Sequence, residues 1–377
     1  MSIVVTIARD DLLNGLASLQ NITAKKGTIA ILANVLIQTG NDLVELTCTD
    51  LEIGMRCRLP AEVLSPGSIT LPCKKLFEIV REACCDHIHL EEKENNWVKV
   101  SVETGDYNIA GMESEEFPQF PEYAEDKLIT VDAGQIKELI DKTIFSMANE
   151  GESQFTLTGV LVENKERDSK KFLRFVSSDG HRLTLMQVPM TSADIDTLHL
   201  KKNTLIPKKG IQEMRKFCEG LEQVSFGIEE KQAVLKTATD ILIIRLLNGD
   251  FPDYKPLVDI INRDKYVEIA KEPLIHAFRR MNLFAEDKFN IVQFSLTAGK
   301  IILSSQSMDI GNAREEIDVV YSGEDLKLGF NGKYFLETLA VMKSDTIRVY
   351  ISSNESPCMI LSENDPEFIS IIMPMHL

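Results

Sequence analysis

The sequence predicts an α+β fold in which one module is used three times, each copy carrying two helices packed on one face of a β-sheet. Three series of markers share a single period. The first helix of each copy recurs at Leu12, Ile136 and Leu274, steps of 124 and 138 residues. The second helix recurs at Leu76, Ile211 and Tyr334, steps of 135 and 123. Prolines near the ends of the copies, Pro118, Pro252 and Pro374, lie 134 and 122 apart. Independent markers with one spacing indicate a repeated unit. The modules are set at 1–126, 127–255 and 256–377.

The first copy opens with Leu12, Leu16 and Leu19 at helical spacing after Asp10-Asp11, an acidic first turn ahead of an apolar stripe. Strand patterns follow over Val35–Ile37, Val44–Cys48 and Ile53–Arg58. Ile69-Thr70-Leu71-Pro72 then leads into a helix with Leu76, Ile79, Val80 and Ala83 on one face, and Pro72 suits a first helical turn. More strands run to Met112. Glu113–Asp126 holds six acidic residues, no basic ones and two prolines, which reads as a linker.

The second copy repeats the order. Ile136, Leu139, Ile140 and Thr143 mark its first helix, and Leu157–Glu163, Phe172–Val176 and Leu183–Val188 its strands. Thr204-Leu205-Ile206-Pro207 enters a helix with Ile211, Met214 and Cys218, and Phe251-Pro252-Asp253-Tyr254 closes the copy. The third gives a helix near Pro273–Phe284 with Leu274, Phe278 and Met281, and strands over 291–305. After Lys327-Leu328-Gly329-Phe330 comes a helix with Tyr334, Thr338 and Leu339, and the chain ends Met373-Pro374-Met375-His376-Leu377.

The 377 residues are 44% hydrophobic and 26% charged, the composition of an ordinary globular protein. No apolar run approaches the roughly 20 residues of a membrane span, and no basic-then-apolar leader opens the chain. Seven cysteines without a C-x-x-C suit reduced thiols in a cytoplasmic protein. A net charge of −17 argues against nucleic acid only if the charge is evenly spread. It is not. Residues 201–216 hold Lys201, Lys202, Lys208, Lys209, Arg215 and Lys216 against the single acid Glu213. Lys74, Lys75 and Arg81 sit on the matching helix of the first copy, with Lys25-Lys26 in a loop, and Arg279-Arg280, Lys288 and Lys333 in the third. A solvated charged face is the plain reading of each helix alone. Basic residues on equivalent helices of an acidic chain describe instead a surface that holds phosphates without reading bases.

The stretch with most chemical content is Ser177-Ser178-Asp179-Gly180-His181-Arg182-Leu183, a turn between two apolar runs. Asp179 and His181 could form a general-base pair, or the turn could line a binding pocket. Thr49-Asp50-Leu51-Glu52-Ile53 and Ser307-Met308-Asp309-Ile310 look equivalent to it, and only the middle copy has Gly-His-Arg. The turn therefore belongs to the fold, with something specialised in the second module. No nucleotide-binding glycine loop and no zinc-protease motif occurs. Cys84-Cys85-Asp86-His87-Ile88-His89 holds potential metal ligands, but no partner motif accompanies it and a solvated strand edge is the simpler reading. Met373-Pro374-Met375 reads as packed apolar surface or a soft binding wall. No cofactor is implied.

Several motifs in order make the chain resemble the bacterial sliding clamp, the β subunit of DNA polymerase III, over essentially its whole length. The motifs are Asp179-Gly180-His181-Arg182-Leu183, Ile206-Pro207-Lys208-Lys209-Gly210, Phe251-Pro252-Asp253-Tyr254, Gly329-Phe330-Asn331 with Tyr334, and Met373-Pro374-Met375-x-Leu377. Thr49-Asp50-Leu51-Glu52 and Ile31-Leu32-x-Asn34 add to them. The resemblance implies that each chain forms half of a closed ring: a head-to-tail homodimer around duplex DNA, non-catalytic and free of membrane. Its partners would be the replicative polymerase subunit, the clamp loader and repair polymerases, each inserting a short peptide between the second and third modules.

Carried over by position, the peptide pocket comprises Leu157, Ser178, Gly180, His181, Leu183, Pro252, Leu257, Asn331, Tyr334, Ile372, Met373, Pro374 and Met375. The implied DNA-binding set is Lys26, Lys74, Lys75, Lys201, Lys202, Lys208, Lys209, Arg215, Arg279 and Arg280. The implied dimer interface sets Tyr107 and Ile109 against Leu283 and Phe284, for which ordinary intradomain core is the competing reading. Four positions depart from the family pattern: His376 replaces an Arg, Pro256 replaces an Arg near the pocket, and Ile29 and Ala30 make Thr28-Ile29-Ala30-Ile31-Leu32 of the family's Thr-Leu-Pro-Ile-Leu. They bear on the pocket's charge and the first loop's DNA contact, and they leave open a specialised paralogue of the clamp.

Overall fold

The structure is a computed structural model that describes residues 2–23, 29–103, 105–149, 151, 155–285, 290–307 and 311–375. Its α-helices are α1 (Arg9–Leu19), α2 (Cys73–Glu82), α3 (Ala133–Asp141), α4 (Ser192–Thr197), α5 (Lys208–Phe217), α6 (Lys255–Asp259), α7 (Lys271–Met281) and α8 (Gly332–Val341). The two long helices expected in each module are present. Leu12, Leu16 and Leu19 of α1 and Leu76 and Val80 of α2 are fully buried, so the helical stripes read from the sequence are the faces turned to the sheet. In the third module Phe278 of α7 stacks on Phe335 of α8 with ring centroids 4.6 Å apart, and Phe294 and Phe330 close the cluster.

By compactness the chain divides into two units. One is Met1–Ala133 with Thr197–His199 and Gln212–Leu246; the other is Gly134–Asp196 with Leu200–Ile211 and Leu247–Leu377. This division cuts across the threefold period, for a physical reason. Strands Ile129–Asp132, Gln223–Ile228, Gln232–Lys236 and Asp240–Arg245 join a 12-stranded sheet through Asp240–Arg245, which pairs antiparallel with Ile53–Ser65 from Asp240↔Cys57 to Ile244↔Ile53. Strands Gly159–Arg167, Lys170–Ser178, Arg182–Met190 and Thr204–Pro207 join an 8-stranded sheet in which Arg182–Met190 pairs with Phe368–Ile372. Main-chain ladders thus draw the strands of the central module into two different sheets. A 4-stranded sheet of Ile291–Thr297, Lys300–Ser307, Gly311–Asp318 and Leu326–Asn331 completes the second unit.

Local details differ from expectation where tertiary contacts intervene. The strand expected over Ile53–Arg58 runs on to Ser65 because Val4–Ala8 pairs with its second half, Ile7 opposite Ala61. Leu157, expected at a strand start, lies in a 3-10 turn over Phe155–Thr158, and the strand begins at Gly159. The Thr158 hydroxyl closes that turn by donating to the Phe155 carbonyl at 2.6 Å. Glu113–Asp126 forms only short 3-10 turns, and its aromatics anchor it. Phe117 packs with Ile31 and Leu36, and Phe120 packs against Val234, Ile241 and Ile243 with the Arg56 guanidinium 4.3 Å from its ring.

Candidate functional site

The carboxylate of Asp179 is committed to its own turn. Oδ1 accepts from the His181 amide at 2.9 Å and the Arg182 amide at 3.0 Å, and Oδ2 accepts from Arg182 Nε at 2.9 Å. Ser178 Oγ donates to the Arg182 carbonyl at 2.7 Å and accepts from the Gly180 amide at 3.1 Å. The first module repeats the bonds to main-chain groups, without the one to the Arg182 guanidinium. Thr49 Oγ1 donates to the Ile53 carbonyl and accepts from Leu51, while Asp50 Oδ1 accepts from Glu52 and Ile53. Gly180 has φ +89° and Leu51 φ +75°, so the left-handed position strains Leu51 and costs Gly180 nothing. The third-module counterpart Met308-Asp309-Ile310 lies outside the described residues. Asp179 bonds amides and Arg182, while the His181 side chain stands exposed. The turn is not built as a general-base pair.

Arg182 is what sets the second copy apart. It is 7% exposed, and its guanidinium donates to Asp179, to the Glu337 carboxylate of α8 and to the Phe145 carbonyl. It also lies 4.2 Å from the Tyr334 ring centroid. One forked cation therefore fixes Tyr334, a predicted pocket residue, to the turn. Sequence reasoning overlooked it. The signal was present: a charged residue within an apolar strand, placed to share the face opposite Leu183.

The C-terminal segment meets this turn directly. The Met373 amide donates to the His181 carbonyl at 2.9 Å and the Met375 amide to the Gly329 carbonyl at 2.8 Å. Leu157, Leu183, Phe251, Tyr254 and Ile371 belong to one buried apolar cluster with Leu257 packed against it. Pro252 is exposed between buried Phe251 and Tyr254. Asn331 caps α8, its Oδ1 accepting from the Lys333 amide at 3.0 Å. Met373, Pro374 and Met375 are half-buried, and they follow directly on the strand Phe368–Ile372, whose Ile371 pairs with Leu183. Ile372 is placed differently from the expectation. It pairs with Arg182 and is fully buried, whereas Ile371 pairs with Leu183 and shares its cluster; the two-residue strand period exchanges their faces. His376 is outside the described residues. Burial, and then the hydrogen bond to Glu163, pushes the Tyr254 phenol above its ordinary range.

The basic set divides by what each side chain touches. Lys75 pairs with Glu78 at 2.6 Å, Lys216 with Glu213 at 2.8 Å, and Arg280 with Glu315 at 2.5 Å. Lys208 donates to Asn149 at 2.8 Å. Lys74, Lys201, Lys202 and Arg279 are exposed, and Lys209 and Arg215 are half-buried. Lys26 lies outside the described residues. Of the four interface candidates, Tyr107 and Leu283 are 46% and 69% exposed, Phe284 is half-buried, and Ile109 is buried in its own sheet. Tyr107 sits in Gly105–Ala110, the last strand of the 12-stranded sheet, and Gly311–Asp318 is the last strand of the 4-stranded one. In the cysteine–histidine stretch, His89 Nδ1 meets Thr6 Oγ1 at 3.0 Å and His87 is exposed. No group of three potential metal ligands occurs among the described residues.

Three family models match the chain: the DNA polymerase III beta subunit N-terminal domain over residues 3–121, the central domain over 130–253 and the C-terminal domain over 261–376. A beta sliding clamp of Chlamydia pneumoniae is 28% identical over 371 residues, 98% of each chain. One from Pseudomonas putida is 28% identical over 378 residues, 99% of each. Among solved structures, the C. crescentus beta sliding clamp superposes with a TM-score of 0.92 at 27% identity, covering 100% of this chain and 99% of the other. The Bacillus subtilis DNA polymerase sliding clamp gives 0.91 at 26% identity, with both chains fully covered.

Proposed function

The chain belongs to the DNA polymerase III beta subunit family, and we propose that it acts as the processivity factor of a replicative DNA polymerase. In this reading two copies join head to tail into a ring that encloses duplex DNA, slides along it and makes or breaks no bond. Modules 1–126, 127–255 and 256–377 are its repeating arcs, and the cleft around His181, Leu183 and Met373–Met375 receives the partners' peptides. The partners are the replicative polymerase subunit, the clamp loader and repair polymerases.

The observation that carries this reading is a pair of terminal strands. Gly105–Ala110 and Gly311–Asp318 each end a sheet, leaving one row of backbone donors and acceptors open to another chain. Beside the first lies a hollow of about 380 Å³ lined by Lys75, Glu78, Ile79, Val102 and Tyr107. Beside the second, α7 carries Leu283 just past its end, and Arg280 of α7 pairs with Glu315 of that strand. A heterologous contact of Leu283 and Phe284 with that hollow closes a ring when the rotation suits, and a closed ring leaves no free edge. The basic helices then supply screened, sequence-independent attraction to phosphate. Tethering keeps a bound polymerase at high effective concentration without tight DNA binding.

The deciding experiment measures retention on nicked circular DNA after loading, before and after linearisation. Loss from the linear form with retention on the circle is expected. Equal retention on both would overturn the topological mechanism.

A further inference from the structure

A second cavity, of about 350 Å³, opens on strands of the 8-stranded sheet. Its size lies within the roughly 300–1,000 Å³ usual for ligand sites. Leu185 and Ile369, directly opposite each other across two strands, line it and also pack in the cluster that holds Leu183 and Ile371. Tyr254, Lys255 and Val258 cover it from the segment around α6. Five cations line this cavity, Lys165, Arg167, Arg174, Lys255 and Arg263, against the carboxylates of Asp259 and Glu367. In a chain of net charge −17 that is a local reversal of sign.

Some of this charge is already matched. Glu367 takes Arg167 and the Gln187 amide. Glu163 stands 3.5 Å from Lys165 and 3.7 Å from Arg174, whose guanidinium also donates to Gln187 and to the Tyr254 hydroxyl. Among the described residues the Lys255 amine and the Arg263 guanidinium make no ion pair, and both residues are exposed at the rim. The Lys165 amine registers the field. Burial lowers its pKa, and the charges of Lys255 and Arg174 act in the same direction against the pull of Glu163.

We propose that this cavity binds an acidic–apolar peptide segment of a protein partner, its carboxylates on Lys255 and Arg263 and its aliphatic side chains on Val258, Leu361 and Ile369. The apolar lining decides the ligand class. A free phosphate would satisfy the cations and leave the half-buried Val258, Leu361 and Ile369 facing water, whereas alternating carboxylate and leucine side chains use both. The assignment goes beyond the tethering cleft and does not depend on its occupancy.

The test is fluorescence anisotropy of a fluorescein-labelled peptide, Asp-Leu-Glu-Leu-Asp-Glu, titrated with the full chain. Saturable binding is expected, weakened about tenfold or more by Lys255→Glu with Arg263→Glu, and similarly by raising salt from about 50 mM to about 500 mM. Replacing both leucines of the probe with serine should weaken it as much. Equal affinity for the double variant and the unaltered chain, or no binding, would overturn the proposal. So would equal affinity of the serine probe with displacement by inorganic tripolyphosphate, which would make the cavity a simple anion site. Failure of an apolar peptide to occupy the cleft leaves these readouts untouched, so the two proposals fail separately.

Discussion

The main-chain amide of Met373 donates to the carbonyl oxygen of His181 across 2.9 Å. That bond continues the pairing of Arg182 with Ile372 by one further residue, so the C-terminal segment is an extension of the sheet. Deleting Met373–Leu377 should weaken binding of an apolar partner peptide at least about tenfold while leaving dimer mass and DNA retention unchanged. Anisotropy and light scattering check this. Loss of the dimer would place the segment in the interface.

Arg182 is a buried cation with two carboxylates, a carbonyl and an aromatic face around it. Arg182→Ala strands those groups and should lower the unfolding free energy by about 3–5 kcal/mol. Arg182→Lys should restore only part of this, because a compact ammonium cannot span acceptors set around the three separate nitrogens of a planar guanidinium. Urea titration of both variants measures it, and a loss under about 1 kcal/mol for the alanine variant would refute it.

Lys142 and Asp365 form an ion pair, 2% and 3% exposed. Burial raises the Asp365 pKa, but hydrogen bonds from Lys142 and the Lys343 amide, with the Lys142 charge and Ser362, outweigh it and the net direction is down. A depressed folded-state value means that the unfolded chain binds the proton first. The pair's contribution is therefore complete above the unfolded value of about 3.9 and lost as pH falls through the folded one. Asp365→Asn should cost about 3–5 kcal/mol near neutrality and flatten the fall in stability on acidification. Urea midpoints across that pH range test both parts, and an unchanged acid slope would assign it to other carboxylates.

Leu283 is 69% exposed at the end of α7. Leu283→Asp should halve the mass measured by light scattering at micromolar concentration, since a carboxylate cannot enter the hollow beside Tyr107 without losing its hydration. Ile109→Val, inside its own sheet, should leave the dimer intact. A dimeric Leu283→Asp chain would move the interface elsewhere.

Charge reversal at exposed Lys74 should shorten retention on nicked circular DNA and reduce the salt slope by about one. Arg280→Ala should do less, because Glu315 already holds that guanidinium and raises its pKa through the hydrogen bond they share. A larger effect at Arg280 would show that DNA competes Glu315 away.

The helices were legible because their apolar stripes are long and periodic, as in Leu12, Leu16 and Leu19 or Leu274, Phe278 and Met281. The turn at Asp179 was legible through its repetition at Asp50. The faces of Ile371 and Ile372 were not, because both neighbours are apolar and only the register with Leu183 separates them. The role of Arg182 depends on Glu337 and Phe145, distant in sequence, and no local pattern announces such partners. The extension of Ile53–Ser65 likewise came from a partner strand at the start of the chain.

The ladders between Ile53–Ser65 and Asp240–Arg245, and between Arg182–Met190 and Phe368–Ile372, each join residues matched to successive family domains. Each covalent junction in the chain is therefore also reinforced by main-chain hydrogen bonds, as a seam is reinforced by stitching on both sides of the cloth. Flexing either junction would shear a ladder. In the proposed ring, the compliance needed to admit DNA would be left to the seam between two copies, which no peptide bond spans.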